Sequence, residues 1–76
     1  MRTAAQQIGS NVRAEMARRR ITQTELASHL DMSQSMLSNR LTGKLAFNVD
    51  ELASIAAALE VDIAVLMQAP ADRQAS

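Results

Sequence analysis

Two helix-start signals stand eleven residues apart in "TQTELASHLDMSQSMLSNRLTGK", residues 22–44, with almost nothing between them. Thr22-x-x-Glu25 is a capping box, in which the threonine oxygen accepts an early backbone N–H and the glutamate reaches back to the cap. Ile21 and Leu26 have the spacing of a hydrophobic staple around it. Leu26, Ala27 and Leu30 supply the inward face, and Ala27 is small enough for another helix to approach closely. Asp31 then opens a tight turn. Ser33 caps a second helix running to Leu41 or Thr42, and Gly43 can take the left-handed backbone that ends it. Two short helices joined by two or three residues must cross steeply. With Leu37 and Leu41 turned inward, the second helix leaves Gln34, Ser35, Ser38 and Asn39 outside, an unusually polar surface for so small a chain.

The flanking sequence completes an all-α reading with five helices. Ile8, Val12 and Met16 recur every four residues and predict a helix from about Ala4 to Arg19, weakened slightly by Gly9. Asn48, with Glu51 three residues on, caps a fourth helix carrying Leu52, Ile55, Ala56 and Leu59. Val61 is a buried connector. Asp62 caps a short fifth helix with Ile63, Leu66 and Met67 on its inner face. Pro70 stops the pattern, so residues 1–68 read as one domain and 69–76 as a flexible tail. A chain of 76 residues buries only ~60% of its unfolded surface and needs a well-shared core.

Composition removes several functions. Phe47 is the only aromatic, which argues against stacking of single-stranded bases. The absence of Cys leaves no disulfide staple and no zinc-finger pattern. His29 is the only histidine and no serine has a His–acid context, so no metal, cofactor or catalytic group is expected; the chain reads as a non-enzyme. No long apolar run or signal pattern is present, and the reading is a soluble cytoplasmic protein.

The net charge of zero conceals a gradient. Residues 1–44 carry seven Lys and Arg against three acidic residues, and residues 45–76 carry one against five. A half of one sign suggests a polyanion-facing half; incidental clustering reads the same pattern equally well. Gln and Asn pair bidentately with adenine, and Ser serves either base type in a major groove. Phosphates take donors of the kind that Thr22, Gln23, Thr42 and Lys44 place on both sides of the polar helix. Arg18, Arg19 and Arg20 read both as a charged helix end favoured by the dipole and as phosphate contacts. Met36 reads either as a gap-filler near the core or as a contact to a thymine methyl group.

The same residues resemble the helix-turn-helix of the lambda-repressor-like, Cro-type family. Gln23, Glu25, Leu26 and Ala27, the Ser33-Gln34-Ser35 start, Leu37, Ser38 and the closing Gly43-Lys44 all match. "DELASIAAALEVDIAVLM" resembles the fourth and fifth helices of that family, so the similarity spans about Ile8 to Met67. "LSNRLTGK" together with "FNVDELASIAAALEV" is most similar to short repressors of phages of actinobacteria. The resemblance implies a compact five-helix domain whose third helix enters the major groove of double-stranded DNA. Ser33, Gln34, Ser35, Asn39 and Ser38 would reach bases, and Thr22, Gln23, Thr42 and Lys44 would hold phosphates.

Three departures from the family pattern stand out. Asp31 occupies a turn position where glycine is usual. Leu41 and Met16 stand where many members pair a Glu with an Arg, so an ion pair is expected to be replaced by an apolar contact. Arg40 stands where an aliphatic residue is common, and it either reaches DNA or forms a surface ion pair. The expected function is a sequence-specific transcriptional regulator, a Cro-like repressor acting by operator occupancy with no small-molecule effector. It would dimerise on half-sites about 34–36 Å apart through Phe47–Asn48 and Val61–Met67, or pair only on DNA. The alternative is a protein-interaction module on the same fold, as an antirepressor, an antitoxin or a recombination accessory.

Overall fold

A computed structural model of the protein describes residues 2–69. It contains α1 (Ala4–Arg19), α2 (Gln23–Leu30), α3 (Gln34–Leu41), α4 (Val49–Leu59) and α5 (Ile63–Leu66), in that order. Each helix starts on a side chain that accepts an otherwise orphaned backbone N–H: Thr3, Thr22, Ser33, Asn48 and Asp62. The boxes Thr22/Glu25 and Asn48/Glu51 form as their spacing predicts, and Thr3/Gln6 adds a third. The tail expected over residues 69–76 lies outside the described residues from Pro70 onward.

The ends of the helices are less regular than their starts. Helices α1, α2 and α4 finish on Arg20, Asp31 and Glu60, whose φ angles of 55°, 55° and 58° are left-handed. In that region Cβ crowds the carbonyl oxygen at a cost of roughly 1–2 kcal/mol for most residues, and aspartate is among the more tolerant. Asp31 therefore makes the turn expected of it. Helix α3 ends on Thr42, and Gly43 follows with φ of 85°.

The core is aliphatic. Val12 and Met16 of α1, Leu26 and Ala27 of α2, Leu37 and Leu41 of α3, Leu52, Ile55 and Leu59 of α4, and Leu66 of α5 form one buried cluster. Helix α1 packs on α3, α4 and α5, while α2 packs on α3 and α4. Met16 and Leu41 both lie in this cluster, so these positions are filled by apolar groups. Such a replacement of an ion pair by apolar groups is often neutral or stabilising.

Two glycines set how closely helices approach. Gly9 faces the C-terminal end of α3, where an added Cβ would lie 2.8 Å from the Leu41 carbonyl carbon and 3.0 Å from the Arg40 oxygen. A Cβ at Gly43 would lie 2.7 Å from Gln6 Cα and 2.9 Å from Gln6 N. The opposing atoms are mainly backbone and cannot rotate aside. Gly9 thus has a packing role that the helix pattern alone reads only as a weakness.

Two methionine placements differ from expectation. Met67 is 56% exposed, not on the inner face of α5. The helix stops at Leu66, and Met67 at φ −105°, ψ 6° no longer follows its register. Met36 is 45% exposed and does not fill a gap near the core. At the other end of the domain, Asn11 Nδ2 donates to the carbonyls of Leu66 (2.9 Å) and Gln68 (2.8 Å), and Gln7 Nε2 donates to Asn11 Oδ1 (2.8 Å). This side-chain clamp satisfies carbonyls at the end of α5 and holds it on α1.

Candidate nucleic-acid interface

Helix α3 turns Leu37 and Leu41 into the core, and its other residues remain at least partly accessible. Ser33, Gln34 and Ser35 are exposed, while Ser38 and Asn39 are half-buried. Ser33 Oγ accepts the N–H of Met36 at 3.1 Å, which leaves its hydroxyl hydrogen available. Gln34 Nε2 donates to Thr24 Oγ1 at 2.7 Å across the α2–α3 crossing. The amide keeps its carbonyl oxygen and a second N–H, and its orientation is set before any ligand arrives. Thr24 is the residue that sequence reasoning missed. It lies ten residues from Gln34, and only the packing of α2 against α3 brings them together.

The residues expected at phosphates differ in what they can still donate. Thr22 is occupied by its cap: its oxygen accepts from Glu25 N (3.1 Å), while its hydroxyl (3.0 Å) and its N–H (2.9 Å) donate to Glu25 Oε1. Thr42 Oγ1 donates to the carbonyls of Ser38 (3.0 Å) and Asn39 (3.2 Å). Either hydroxyl would have to exchange a bond within the protein for one to phosphate. Gln23 and Lys44 are exposed, and no side-chain bond engages them among the described residues. At the start of α2 the Thr22 and Glu25 N–H groups are taken by the capping box, which leaves those of Gln23 and Thr24 without a partner inside the helix.

The three consecutive arginines separate into two roles. Arg18 and Arg19 both pair with Glu15, a carboxylate only 6% exposed, and together they cover it. Arg20 is exposed at the α1–α2 corner with no ion pair among the described residues. Arg19 is thereby partly neutralised, whereas Arg20 is not. The sequence contained a hint of this, since Glu15 lies three and four residues before Arg18 and Arg19.

Arg40 joins two elements. Its Nε donates to Glu51 Oε1 at 3.2 Å and its Nη1 to the Met36 carbonyl at 3.1 Å. The same Glu51 oxygen accepts the Asn48 N–H at 2.9 Å. The guanidinium therefore ties α3 to the cap of α4 and fixes the loop that carries Lys44. Of the readings open for Arg40, the structure displays the ion pair.

The carboxyl of Glu25 is held below its ordinary pKa of 4.5, first by the Thr22 backbone N–H, then by the Thr22 hydroxyl and more weakly by His29. A group with a lowered folded pKa stabilises fully above its unfolded value and loses that contribution as pH falls through the folded one. The Glu25 contribution is thus present at neutral pH and fades below pH 4.5. Glu25→Gln should show a smaller stability loss than the wild type over that acid range, measured by urea unfolding at stepped pH. Parallel pH curves for the two proteins would mean that this cap does not titrate with folding.

Five helices, with a closely linked and packed pair presenting a polar, side-chain-braced helix to solvent, define an all-α helix-turn-helix protein. The sequence model of the helix-turn-helix family matches residues 12–66, and the chain belongs to this lambda-repressor-like family. The crystal structure of the clp gene regulator ClgR from C. glutamicum is similar, with a TM-score of 0.81 and 26% identity over 87% of this chain and 86% of that one. No curated protein sequence matches the chain. The protein is a DNA-binding transcriptional regulator rather than an enzyme. Among the described residues, no helix is long and apolar enough to cross a membrane.

Proposed function

We propose that the protein is a Cro-like phage repressor that occupies an operator in the cytoplasm of a bacterial host, with α3 in the major groove. The observation that carries this reading is the bond that Gln34 Nε2 donates to Thr24 Oγ1, which braces a base-reading amide on an otherwise solvent-facing helix. Ser33, Gln34, Ser35 and Asn39 face base edges, with Ser38 at the margin. Gln23, Lys44, Arg20 and the start of α2 hold the backbone on either side. Thr22 and Thr42 contribute by exchanging their internal bonds, and Arg19 acts through the field it shares with Glu15. Arg40 orients the α3–α4 loop. A second copy sits on the adjacent half-site; of the surface expected for pairing, Asn48 and Met67 are exposed, whereas Phe47, Val61 and Ile63 pack against the core and Leu66 is buried, and the exposed Leu45 and Val49 add apolar area between α3 and α4.

Selection of bound sequences from random DNA tests the reading directly. A palindromic site is expected, with half-sites one helical turn apart. Gln34→Ala should cost about 1–3 kcal/mol on that site and relax preference at one or two base pairs. Lys44→Ala should weaken all sequences about equally and reduce the salt slope by about one counterion. Unchanged preference in Gln34→Ala would show that the reading surface lies elsewhere. A flat salt response of the wild type would favour a protein-interaction module instead.

A further inference from the structure

We propose that Met36 is a specificity-determining residue that reads the C5-methyl group of a thymine; the inference rests on the DNA-binding reading above. Met36 is 45% exposed, and it is the only large apolar side chain exposed on α3. Successive residues turn by about 100° around a helix. Taking the direction midway between Leu37 and Leu41 as inward, Asn39 points about 180° away from the core. Ser35 and Met36 stand about 40° and 60° to either side of Asn39. Met36 therefore shares the outward face with Ser35 and Asn39, while Gln34 and Ser38 lie toward the opposite flank of the helix, and Met36 is not one of the residues of the buried cluster.

The neighbouring cation does not compete for this face. Arg40 is one turn further along the same side of α3, and its guanidinium is bound to Glu51 and to the Met36 carbonyl. The arginine is thus anchored toward α4. An exposed methionine on a surface otherwise made of Ser, Gln and Asn needs an apolar partner to be favourable in the bound state. The major groove offers one such group, the thymine methyl. A thioether side chain is flexible enough to settle against it without fixing the backbone position closely.

The test compares thymine with deoxyuridine, which lacks that methyl group. In a site obtained by selection from random DNA, each thymine is replaced in turn by deoxyuridine and binding is measured by titration. The wild type should lose about three- to fivefold in affinity at one thymine per half-site, the worth of about one buried methyl group. Met36→Ala should bind the two versions equally at that position, and Met36→Leu should retain most of the discrimination. Because Met36 is exposed, the Ala variant should melt like the wild type, which separates lost contact from lost fold. An equal thymine preference in wild type and Met36→Ala, or none in the wild type, overturns the inference while leaving operator binding intact. Failure of the wild type to enrich any sequence overturns the DNA-binding reading as well.

Discussion

Gly9→Ala should destabilise the domain by about 3 kcal/mol, although the substitution improves helix propensity. Within an isolated α1 the change would stabilise by roughly 0.5–1 kcal/mol, because glycine loses more backbone freedom on folding than alanine does. In the folded protein the new methyl group would sit 2.8 Å from the Leu41 carbonyl carbon, closer than carbon atoms pack. The neighbour is backbone at the end of α3, so relief requires α1 and α3 to separate. Overpacking of this kind typically costs 1–3 kcal/mol and can exceed that. The two views predict opposite signs, which makes the experiment decisive. A domain of this length holds roughly 4–11 kcal/mol in total, so the melting temperature should fall by about 12–24 °C. A rise, or a change of only a few degrees, would mean that α1 and α3 do not approach as described. Because α3 is the proposed reading helix, a partly folded Gly9→Ala should also bind DNA more weakly.

Asp31→Gly combined with Glu60→Gly should stabilise the protein by about 1.5–2 kcal/mol. Both residues end helices in the left-handed region, at φ 55° and 58°, where a side chain is strained and glycine is not. Part of the relief is offset by the greater freedom of glycine in the unfolded chain. Glu60 should account for the larger share, since aspartate is more tolerant of this conformation. The expected rise in melting temperature is roughly 6–16 °C, measured by calorimetry on the single and double variants. The two sites lie on different loops and should act additively. No rise in either single variant would place the left-handed caps elsewhere. Arg20 is the third left-handed residue, but its proposed phosphate contact makes it a separate case. Arg20→Gly should raise stability and weaken DNA binding together.

These expectations divide according to what kind of contact they rest on. The helix starts at Thr22, Ser33, Asn48 and Asp62 were legible because a cap is made between residues two or three apart. The buried stripe of Leu37 and Leu41 was legible for the same reason, since helical period alone places them on one face. That stripe in turn identified the outward residues of α3. The arginines required more: Glu15 and its partners are local in sequence, but its burial depends on how α1 sits in the domain.

The sequence by itself therefore determined the five helices, the caps of the last four, and the polar character of the helix that faces outward. Those features depend on short-range hydrogen bonds and on periodicity, both written within a few residues. Only the tertiary structure decided that Gly9 is a point of close approach, that Thr24 braces Gln34, that Arg40 is bound to Glu51, and that Met67 faces solvent. Each of these depends on the distance between separate helices, or on where a helix stops. Such distances are set by the packing of the whole core, which no local run of residues specifies.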